Sequence, residues 1–254
     1  MKGKPLLNEE QKRRYRRQLM MPEIGEEGQQ KLGKAKVLLV GLGGLGSISS
    51  YYLAAAGVGH LRIVDRDTVG LENLNRQLLH NTDDLGRPKV ESASEKLFRL
   101  NPSCHVQTSI VNIGDENALG LAKGCDLIID ATDNLATRHV LNRVSLKERI
   151  PFIYGGINGW NGMAATFIPG KTGCFACLFP LQKTSGGEPP IPALGPTAGA
   201  IASIQSLEAL RILLGLPPRL AGRLLEFRGM EMRFRSMAID QDPDCSLCGR
   251  PQEG

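Results

Sequence analysis

A glycine-rich turn near the N-terminus lies between two short apolar runs. Residues 37–40 (VLLV) are short enough for a buried strand, and residues 41–46 (GLGGLG) follow without a spacer. A helix-like segment, residues 47–56, then leads to a second apolar run, residues 61–64, which ends on Asp65. This order of strand, glycine turn, helix, strand and acid predicts a nucleotide-binding βαβ unit.

The residue types in this unit suit the chemistry of a nucleotide. Glycines let backbone N–H groups approach phosphate closely, and the N-terminus of the following helix favours negative charge. A carboxylate that ends the second strand, here Asp65, can accept hydrogen bonds from both ribose hydroxyls. The alternative interpretation is that the glycines only permit tight packing of the strand on the helix.

The first half of the chain continues this alternation. Helices are expected near residues 88–100 and 134–149, and strands near residues 105–110, 126–131 and 152–154. Alternating strands and helices favour a mostly parallel, doubly wound sheet that binds its ligand at the carboxyl ends of the strands. Asp65, Asp133 and the glycine turn should therefore meet at that edge.

The second half has a different pattern. Residues 163–168 alternate with period two, residues 222–236 are typical of a hairpin, and residues 198–214 predict a long apolar helix. Residues 182–196 are rich in Pro and Gly and predict a mobile loop. The predicted fold class is α/β, with a doubly wound, mostly parallel Rossmann-like sheet continued by antiparallel strands.

The composition is typical of a soluble globular protein. The chain has 254 residues, of which 41% are hydrophobic, enough for one substantial core. The net charge of +5 is modest and no stacking motif accompanies it, so we expect an anionic nucleotide or an acidic protein partner and no nucleic acid. No segment approaches a membrane span by composition, and residues 1–17 lack an apolar signal-peptide core. We therefore expect no membrane partner and a cytoplasmic location.

Two CxxC pairs predict a metal site. Cys174 and Cys177 form the first pair, and Cys245 and Cys248 form the second. Four thiolates close the tetrahedral coordination of Zn²⁺ and leave no open position, so the role of this site should be structural. Paired redox cysteines and an iron–sulfur cluster are the alternatives. The other two cysteines, at positions 104 and 125, are expected to be small buried hydrophobic residues.

Several motifs occur together in a fixed order along the chain. They are residues 14–18 (RYRRQ), 41–46 (GLGGLG), 65–67 (DRD), 73–77 (NLNRQ), 86–89 (GRPK), 130–134 (DATDN) and the two CxxC pairs. In this order they resemble the ThiF/MoeB/HesA family of E1-like, ubiquitin-activating-type adenylyltransferases. The resemblance spans residues 8–249 and is far more specific than any single motif.

The resemblance implies a reaction and its partners. Family members use Mg-ATP to adenylate the C-terminal Gly-Gly carboxylate of a small ubiquitin-like carrier protein, releasing pyrophosphate, commonly for sulfur transfer into thiamine or molybdopterin. It implies a single adenylation domain over residues 1–254, with a helical arm at 1–34, a nucleotide-binding half at 35–154 and a carrier-binding half at 155–254. It also implies a homodimer.

The resemblance further implies the roles of individual residues. Gly41, Gly43 and Gly46 would frame the nucleotide turn, and Asp65 would hold the ribose. Asn73, Arg76 and Lys89 would face the triphosphate, Asp133 would hold Mg²⁺, and Arg17 would reach the site of the neighbouring subunit. Gly44, Asp67 and Asn134 belong to the same motifs and are expected at the nucleotide. The catalytic residues would be Arg17, Arg76, Lys89 and Asp133.

One departure from the family pattern concerns covalent capture of the carrier. Many relatives place a cysteine in the loop after the first CxxC pair, whereas residues 178–244 of this chain contain none, and Ile191-Pro192 stands near that position. We therefore expect an enzyme that stops at adenylation and passes the adenylate to a separate sulfur donor. The chain ends at Gly254, and no fused rhodanese domain is expected.

Two other functions are compatible with parts of the sequence. The glycine turn and Asp65 alone suit an NAD-dependent oxidoreductase equally well, but that reaction has no need of Arg76, Lys89 and Asp133. A non-catalytic adenylate-binding partner is disfavoured because the chain carries both the glycine turn and Asp133.

Overall fold

The structure is a computed structural model that describes residues 7–181 and 191–249. Its strands are β1 (Lys36–Val40), β2 (His60–Val64), β3 (His105–Ser109), β4 (Leu127–Asp130), β5 (Phe152–Asn158), β6 (Asn161–Phe167), β7 (Arg223–Arg228) and β8 (Arg233–Ala238). Its helices are α1 (Glu9–Arg14), α2 (Arg16–Leu19), α3 (Gly25–Lys34), α4 (Gly44–Ala56), α5 (Lys89–Leu100), α6 (Ala118–Ala122), α7 (Leu135–Glu148), α8 (Phe175–Leu178) and α9 (Gly195–Leu214).

One eight-stranded sheet joins the two halves of the chain. The strand order is β3-β2-β1-β4-β5-β6-β7-β8. The pairs from β3 to β5 are parallel, whereas those from β5 to β8 are antiparallel. This sheet confirms the predicted fold class, a doubly wound parallel sheet continued by antiparallel strands.

Alternating strand residues build a core on each face of the sheet. Leu38 of β1 packs in the cluster that includes residues of α6 and α7, whereas Leu39 packs in the cluster that includes residues of α4 and α5. All four apolar residues of β1 are at most 3% exposed. A strand covered by helices on both faces is apolar at every position, which is why residues 37–40 are a continuous apolar run.

The fifth strand is longer than the sequence predicted. We expected residues 152–154, but β5 continues to Asn158 because Gly155 and Gly156 pair with Ala164 and Met163 of β6. Added side chains at both glycines would collide: a Cβ at Gly155 would lie 2.5 Å from Gln205 and one at Gly156 would lie 2.4 Å from the Tyr154 hydroxyl. The glycines therefore serve close packing here rather than ending the strand.

The N-terminal helix differs from its prediction. Asn8 as an N-cap with Glu9 and Glu10 in the first turn predicts one helix to about Met20, but the chain leaves helical geometry at Tyr15, which separates α1 from α2. The Tyr15 side chain is buried, and its hydroxyl accepts a hydrogen bond from Asn101 Nδ2 at 2.8 Å. Anchoring of Tyr15 beneath α5 thus accompanies the break in the helix.

The long apolar helix begins earlier than predicted. It starts at Gly195, so the predicted loop at residues 182–196 ends before that residue, and residues 182–190 of that loop lie outside the described residues. Contrary to the expectation from composition, α9 is long and apolar enough to cross a bilayer. Its buried residues, which include Ala198, Ile201 and Ala202, instead pack against neighbouring elements such as α4 and β5.

Candidate functional site

A cavity of about 670 Å³ lies at the carboxyl ends of the parallel strands. Nine of the residues predicted to form the active site line it: Gly41, Gly43, Gly44, Asp65, Asp67, Arg76, Lys89, Asp133 and Asn134. Residues from the carboxyl-terminal half, including Ile157 and Leu181, also line it. The fold therefore brings residues that are far apart in the chain to a single cleft.

The glycine turn is packed so closely against the neighbouring backbone that side chains do not fit at two of its positions. Gly41 has a φ of 91°, and a Cβ there would lie 2.5 Å from the carbonyl oxygen of Ala131. A Cβ at Gly46 would lie 1.9 Å from the Gly41 carbonyl oxygen. Gly46 is therefore required for packing beneath the turn and does not line the cavity, whereas Gly43 and Gly44 line it at the start of α4.

Asp65 directly follows β2, and its carboxylate holds the glycine turn. One carboxylate oxygen accepts a hydrogen bond from the Leu42 N–H at 2.6 Å, and the other accepts one from the Asp67 N–H at 2.8 Å. Burial raises the pKa of Asp65, while Lys89 and these two hydrogen bonds oppose that rise. Each carboxylate oxygen has a second lone-pair direction for a ligand hydroxyl.

Lys89 is a buried cation at the start of α5. Its side chain is 6% exposed, and its Nζ lies 3.1 Å from an Asp67 carboxylate oxygen. Asp67 is more exposed and lies at the cavity, so the pair presents one positive and one negative group there. An ammonium group buried to this degree needs a compensating anion, and bound phosphate would supply a second one.

The segment after β2 contributes Arg76 but not Asn73 to the cavity wall. Arg76 Nη1 donates to the Glu72 carbonyl oxygen at 2.7 Å, which fixes the side chain at the cavity. Asn73 is buried, does not line the cavity, and accepts a hydrogen bond from the Gly70 N–H at 3.1 Å. In this structure Asn73 stabilises the turn that carries Arg76.

Asp133 and Asn134 lie in the connection between β4 and α7. The Asp133 side chain lines the cavity and makes no hydrogen bond or ion pair with any residue in the described ranges. Asn134 caps α7, because its Oδ1 accepts a hydrogen bond from the Thr137 N–H at 2.8 Å. Asp133 thus has free oxygen ligands of the kind that Mg²⁺ prefers.

A buried ion pair next to Asp133 was not predicted from the sequence. Asp130, which is fully buried, accepts a hydrogen bond from Arg138 Nε at 3.2 Å and two from Thr132, through its N–H at 2.9 Å and its hydroxyl at 2.6 Å. Burial raises the pKa of Asp130, while Arg138 and Thr132 oppose that rise. The sequence carried one signal for this pair, an acid that ends the apolar run of β4.

A second missed group is a histidine behind the glycine turn. His80 Nε2 lies 3.3 Å from the Leu42 carbonyl oxygen, and its Nδ1 lies 2.8 Å from Ser92 Oγ. Because a carbonyl oxygen only accepts, the Nε2 carries the proton and Nδ1 accepts the Ser92 hydroxyl. Lys96 Nζ in turn donates to Ser92 at 2.9 Å. The two backbone polar groups of Leu42 are therefore both held, the N–H by Asp65 and the carbonyl by His80.

Arg17 does not reach the cavity of its own chain. It lies on α2, its side chain is exposed, and it does not line the cleft. Within the described part of the chain it makes no hydrogen bond or ion pair. Its neighbours on the basic N-terminal segment differ, since Lys12 pairs with Glu9 and Arg14 donates to the Leu100 carbonyl oxygen.

The four paired cysteines converge beside α7, outside the cavity lining. Their Sγ atoms all lie within 4.8 Å of one another, with 3.7 Å between Cys174 and Cys245 and 3.4 Å between Cys177 and Cys248. Zn–S bonds of about 2.3 Å in a tetrahedron place sulfur atoms about 3.8 Å apart. The donor set and its spacing therefore fit Zn²⁺. Asn142 Nδ2 donates to Cys174 at 3.5 Å and supports the site from α7.

The remaining two cysteines are buried, as predicted. Cys104 is 3% exposed and Cys125 is 8% exposed. Burial raises the pKa of the Cys104 thiol to about 12, so this thiol is not a nucleophile at neutral pH.

Comparisons with known proteins agree with this architecture. The ThiF family model matches residues 15–247. The chain is 38% identical over 244 residues to the sulfur carrier protein adenylyltransferase of Thermus thermophilus, covering 93% of this chain and 90% of that protein. It is 40% identical over 239 residues to the SAMP-activating enzyme E1 of Haloferax volcanii, covering 93% and 88%.

Solved structures share the fold. A crystal structure of Escherichia coli MccB with AMPCPP and MccA superposes with a TM-score of 0.81 at 25% identity, covering 93% of this chain and 74% of that one. Another MccB structure, at 24% identity and a TM-score of 0.84, shows the fold over 97% of this chain and 76% of that one. With the cavity described above, these similarities show that the chain belongs to the ThiF family of E1-like adenylyltransferases.

Proposed function

We propose that this enzyme adenylates the C-terminal Gly-Gly carboxylate of a small ubiquitin-like sulfur-carrier protein of the ThiS/MoaD type. A carrier carboxylate oxygen bonds to the α-phosphorus of ATP, and the bond from that phosphorus to the β-phosphate oxygen breaks. Pyrophosphate leaves, and the product is a carrier acyl-adenylate. The observation that carries the proposal is the convergence of Arg76, Lys89 and Asp133 on one cavity with the glycine turn.

The electrostatics of that cavity suit this reaction. A carboxylate and a triphosphate repel each other, so catalysis depends on positioning and on cations more than on covalent chemistry by the protein. In our proposal Asp65 and Asp67 hold the ribose side, the glycine turn and α4 receive phosphate, and Arg76 and Lys89 face the triphosphate. Asn73 and Asn134 support these groups through the turn and the helix cap that they form.

Magnesium and zinc have separate roles in the proposal. Asp133 would hold Mg²⁺, which would supply charge stabilisation at the phosphates. Zn²⁺ would be held by Cys174, Cys177, Cys245 and Cys248, and it would tie the segment after β8 to the segment after β6 without taking part in the reaction.

The active enzyme is proposed to be a homodimer. Arg17 is exposed and does not line its own cavity, which suits a role at the site of the neighbouring subunit. We propose one adenylation domain built from a helical arm (1–34), a nucleotide-binding half (35–154) and a carrier-binding half (155–254), acting in the cytoplasm.

The reaction is proposed to end at the adenylate. Residues 178–244 contain no cysteine, so this chain offers no thiol there to capture the carrier. A separate sulfur donor would then attack the acyl-adenylate. Support for a carrier substrate comes from the relatives, two of which are named for activating a sulfur carrier or a SAMP protein.

The direct test is pyrophosphate release. The purified enzyme, Mg-ATP and each ubiquitin-like protein of the source organism would be mixed in turn, with the same protein lacking its last glycine as the matched control. We expect release with at least one intact carrier and none with its truncated form. No release with any carrier, or reduction of NAD by the enzyme with a small-molecule substrate, would refute the proposal.

A further inference from the structure

Arg138 is a cationic side chain in the cavity wall that the proposed mechanism does not yet use. It lies on the first turn of α7, five residues after Asp133, and its side chain is 13% exposed. Its Nε donates to Asp130 at 3.2 Å and its Nη2 donates to the Thr132 carbonyl oxygen at 2.7 Å. The guanidinium group is thus held rigidly on one edge.

The third guanidinium nitrogen remains available. Nη1 makes no hydrogen bond with any residue of the described ranges, although Arg138 lines the cavity. Asp130 has no exposure to solvent, and three hydrogen-bond contacts from Thr132 and Arg138 hold it in place. A guanidinium has five N–H donors, so Asp130 and Thr132 leave donors over for a ligand.

The position of Arg138 fits the carrier side of the cavity. Its Cζ lies 5.1 Å from the centre of the Tyr154 ring on β5, and Ile157 farther along β5 lines the same cavity. Asp133 lines the cavity directly after Ala131 and Thr132, the two residues that a Cβ at Gly41 of the glycine turn would meet. Arg138 therefore lies between the proposed metal ligand and the antiparallel half.

We propose that Arg138 Nη1 binds the C-terminal carboxylate of the carrier and orients it toward the α-phosphate. This inference rests on the proposed function, because it assigns a contact for the nucleophile of that reaction. A preorganised cation at this point offsets the repulsion between the carboxylate and the phosphates. A charge-assisted hydrogen bond from a buried guanidinium also distinguishes a free carboxylate from any neutral chain end.

The test compares two forms of the same carrier. The carrier that gives the strongest pyrophosphate release would be prepared with a free C-terminal carboxylate and with a C-terminal carboxamide. Binding of each form to the enzyme would be measured by calorimetry with AMPCPP, whose α,β-methylene bridge prevents adenylation. We expect the wild type to bind the carboxylate form at least fivefold more tightly and Arg138→Gln to bind both forms within twofold.

A double variant separates this role from charge balance. In Asp130→Asn with Arg138→Gln, the buried charges are removed together, and the oxygen of the introduced amide can still accept from Thr132. If Arg138 only neutralised Asp130, this variant would recover the carboxylate preference. The proposal expects no recovery, together with a raised KM for the carrier and an unchanged KM for ATP.

Two further variants guard against misfolding and nonspecific effects. Arg138→Lys keeps a cation beside Asp130 and should fold, but a single ammonium group replaces the fork, so we expect the preference to fall below twofold. Arg143→Gln, on the same helix, removes an exposed ion pair with Asp115 and should keep the wild-type preference. Equal binding of both carrier forms by the wild type, or a preference retained without Arg138, would overturn the inference. If no carrier supports pyrophosphate release, the proposed function fails, and this inference fails with it.

Discussion

His80 gives the enzyme an acid sensitivity whose size follows from its burial. The imidazole is 5% exposed and neutral in the fold, because it donates to the Leu42 carbonyl through Nε2 and accepts from Ser92 at Nδ1. Burial lowers its pKa from 6.5 to about 4, although the Leu42 carbonyl opposes that change. A proton on Nδ1 would break the hydrogen bond from Ser92.

The sign and magnitude of the pH dependence of stability follow from the linkage between proton binding and unfolding. Between pH 6.5 and pH 4 the unfolded chain binds a proton at His80 that the folded protein does not, so the free energy of unfolding falls as the pH falls. The contribution is fully present above pH 6.5 and is lost progressively down to about pH 4. The pKa of His80 falls by about 2.5 on folding, and at about 1.4 kcal/mol per pH unit this corresponds to roughly 3.5 kcal/mol of unfolding free energy.

The assay is urea unfolding of wild type and His80→Gln at a series of pH values from about 7.5 to about 4. Glutamine does not titrate, so the comparison uses the slope of the unfolding free energy against pH and not its absolute value. The unfolding free energy of wild type minus that of His80→Gln should fall by roughly 2–3 kcal/mol toward low pH. His105→Gln, at an exposed position on the edge strand β3, serves as the matched control and should leave the slope unchanged. Parallel curves for wild type and His80→Gln would refute the argument.

Three further predictions concern the metals and the subunit contact. Asp133→Ala should abolish ATP–pyrophosphate exchange without unfolding the protein, since the charge of Mg²⁺ would be lost from the phosphates, and Asp115→Ala should retain exchange. Metal analysis should find one Zn²⁺ per chain, and Cys174→Ser should lower Tm more than Cys104→Ser. Arg17→Ala should slow adenylation far more than it weakens ATP binding, and a subunit-exchanged mixture of Arg17→Ala and Asp133→Ala should regain activity.

Each of these has a contradicting result. Normal exchange in a folded Asp133→Ala enzyme would show that Asp133 has no role in the site. An absorption spectrum typical of an iron–sulfur cluster would show that the four cysteines do not bind zinc. In the mixed dimer, one site combines an intact Asp133 with an intact Arg17 from the other subunit. A mixture that stays inactive after subunit exchange would therefore refute a role for Arg17 at the site of the neighbouring subunit.

Local sequence patterns predicted much of the fold because strands and turns depend largely on the residues within them. The apolar run at 37–40, the glycines and the acid at 65 each specify a strand, a turn or a strand end, and the structure has all three in place. The predicted end of β5 at residue 154 was wrong, since consecutive glycines such as Gly155 and Gly156 usually mark the end of a strand. The role of these glycines depends on their contacts with Gln205 and the Tyr154 side chain, which a short sequence pattern does not reveal.

The sequence by itself determined which residue types the cavity would have, because the glycine turn and the polar residues after parallel strands must gather at one edge. Only the tertiary structure decided which of them face the cavity. Asn73 supports a turn and Gly46 permits close packing, so neither lines the cavity, whereas Asn134 lines it and also caps α7. Arg138 lines the cavity beside the Tyr154 ring of β5, and His80 holds the Leu42 carbonyl behind the glycine turn. Side-chain direction depends on long-range contacts, and these contacts form only when the helices pack on the sheet.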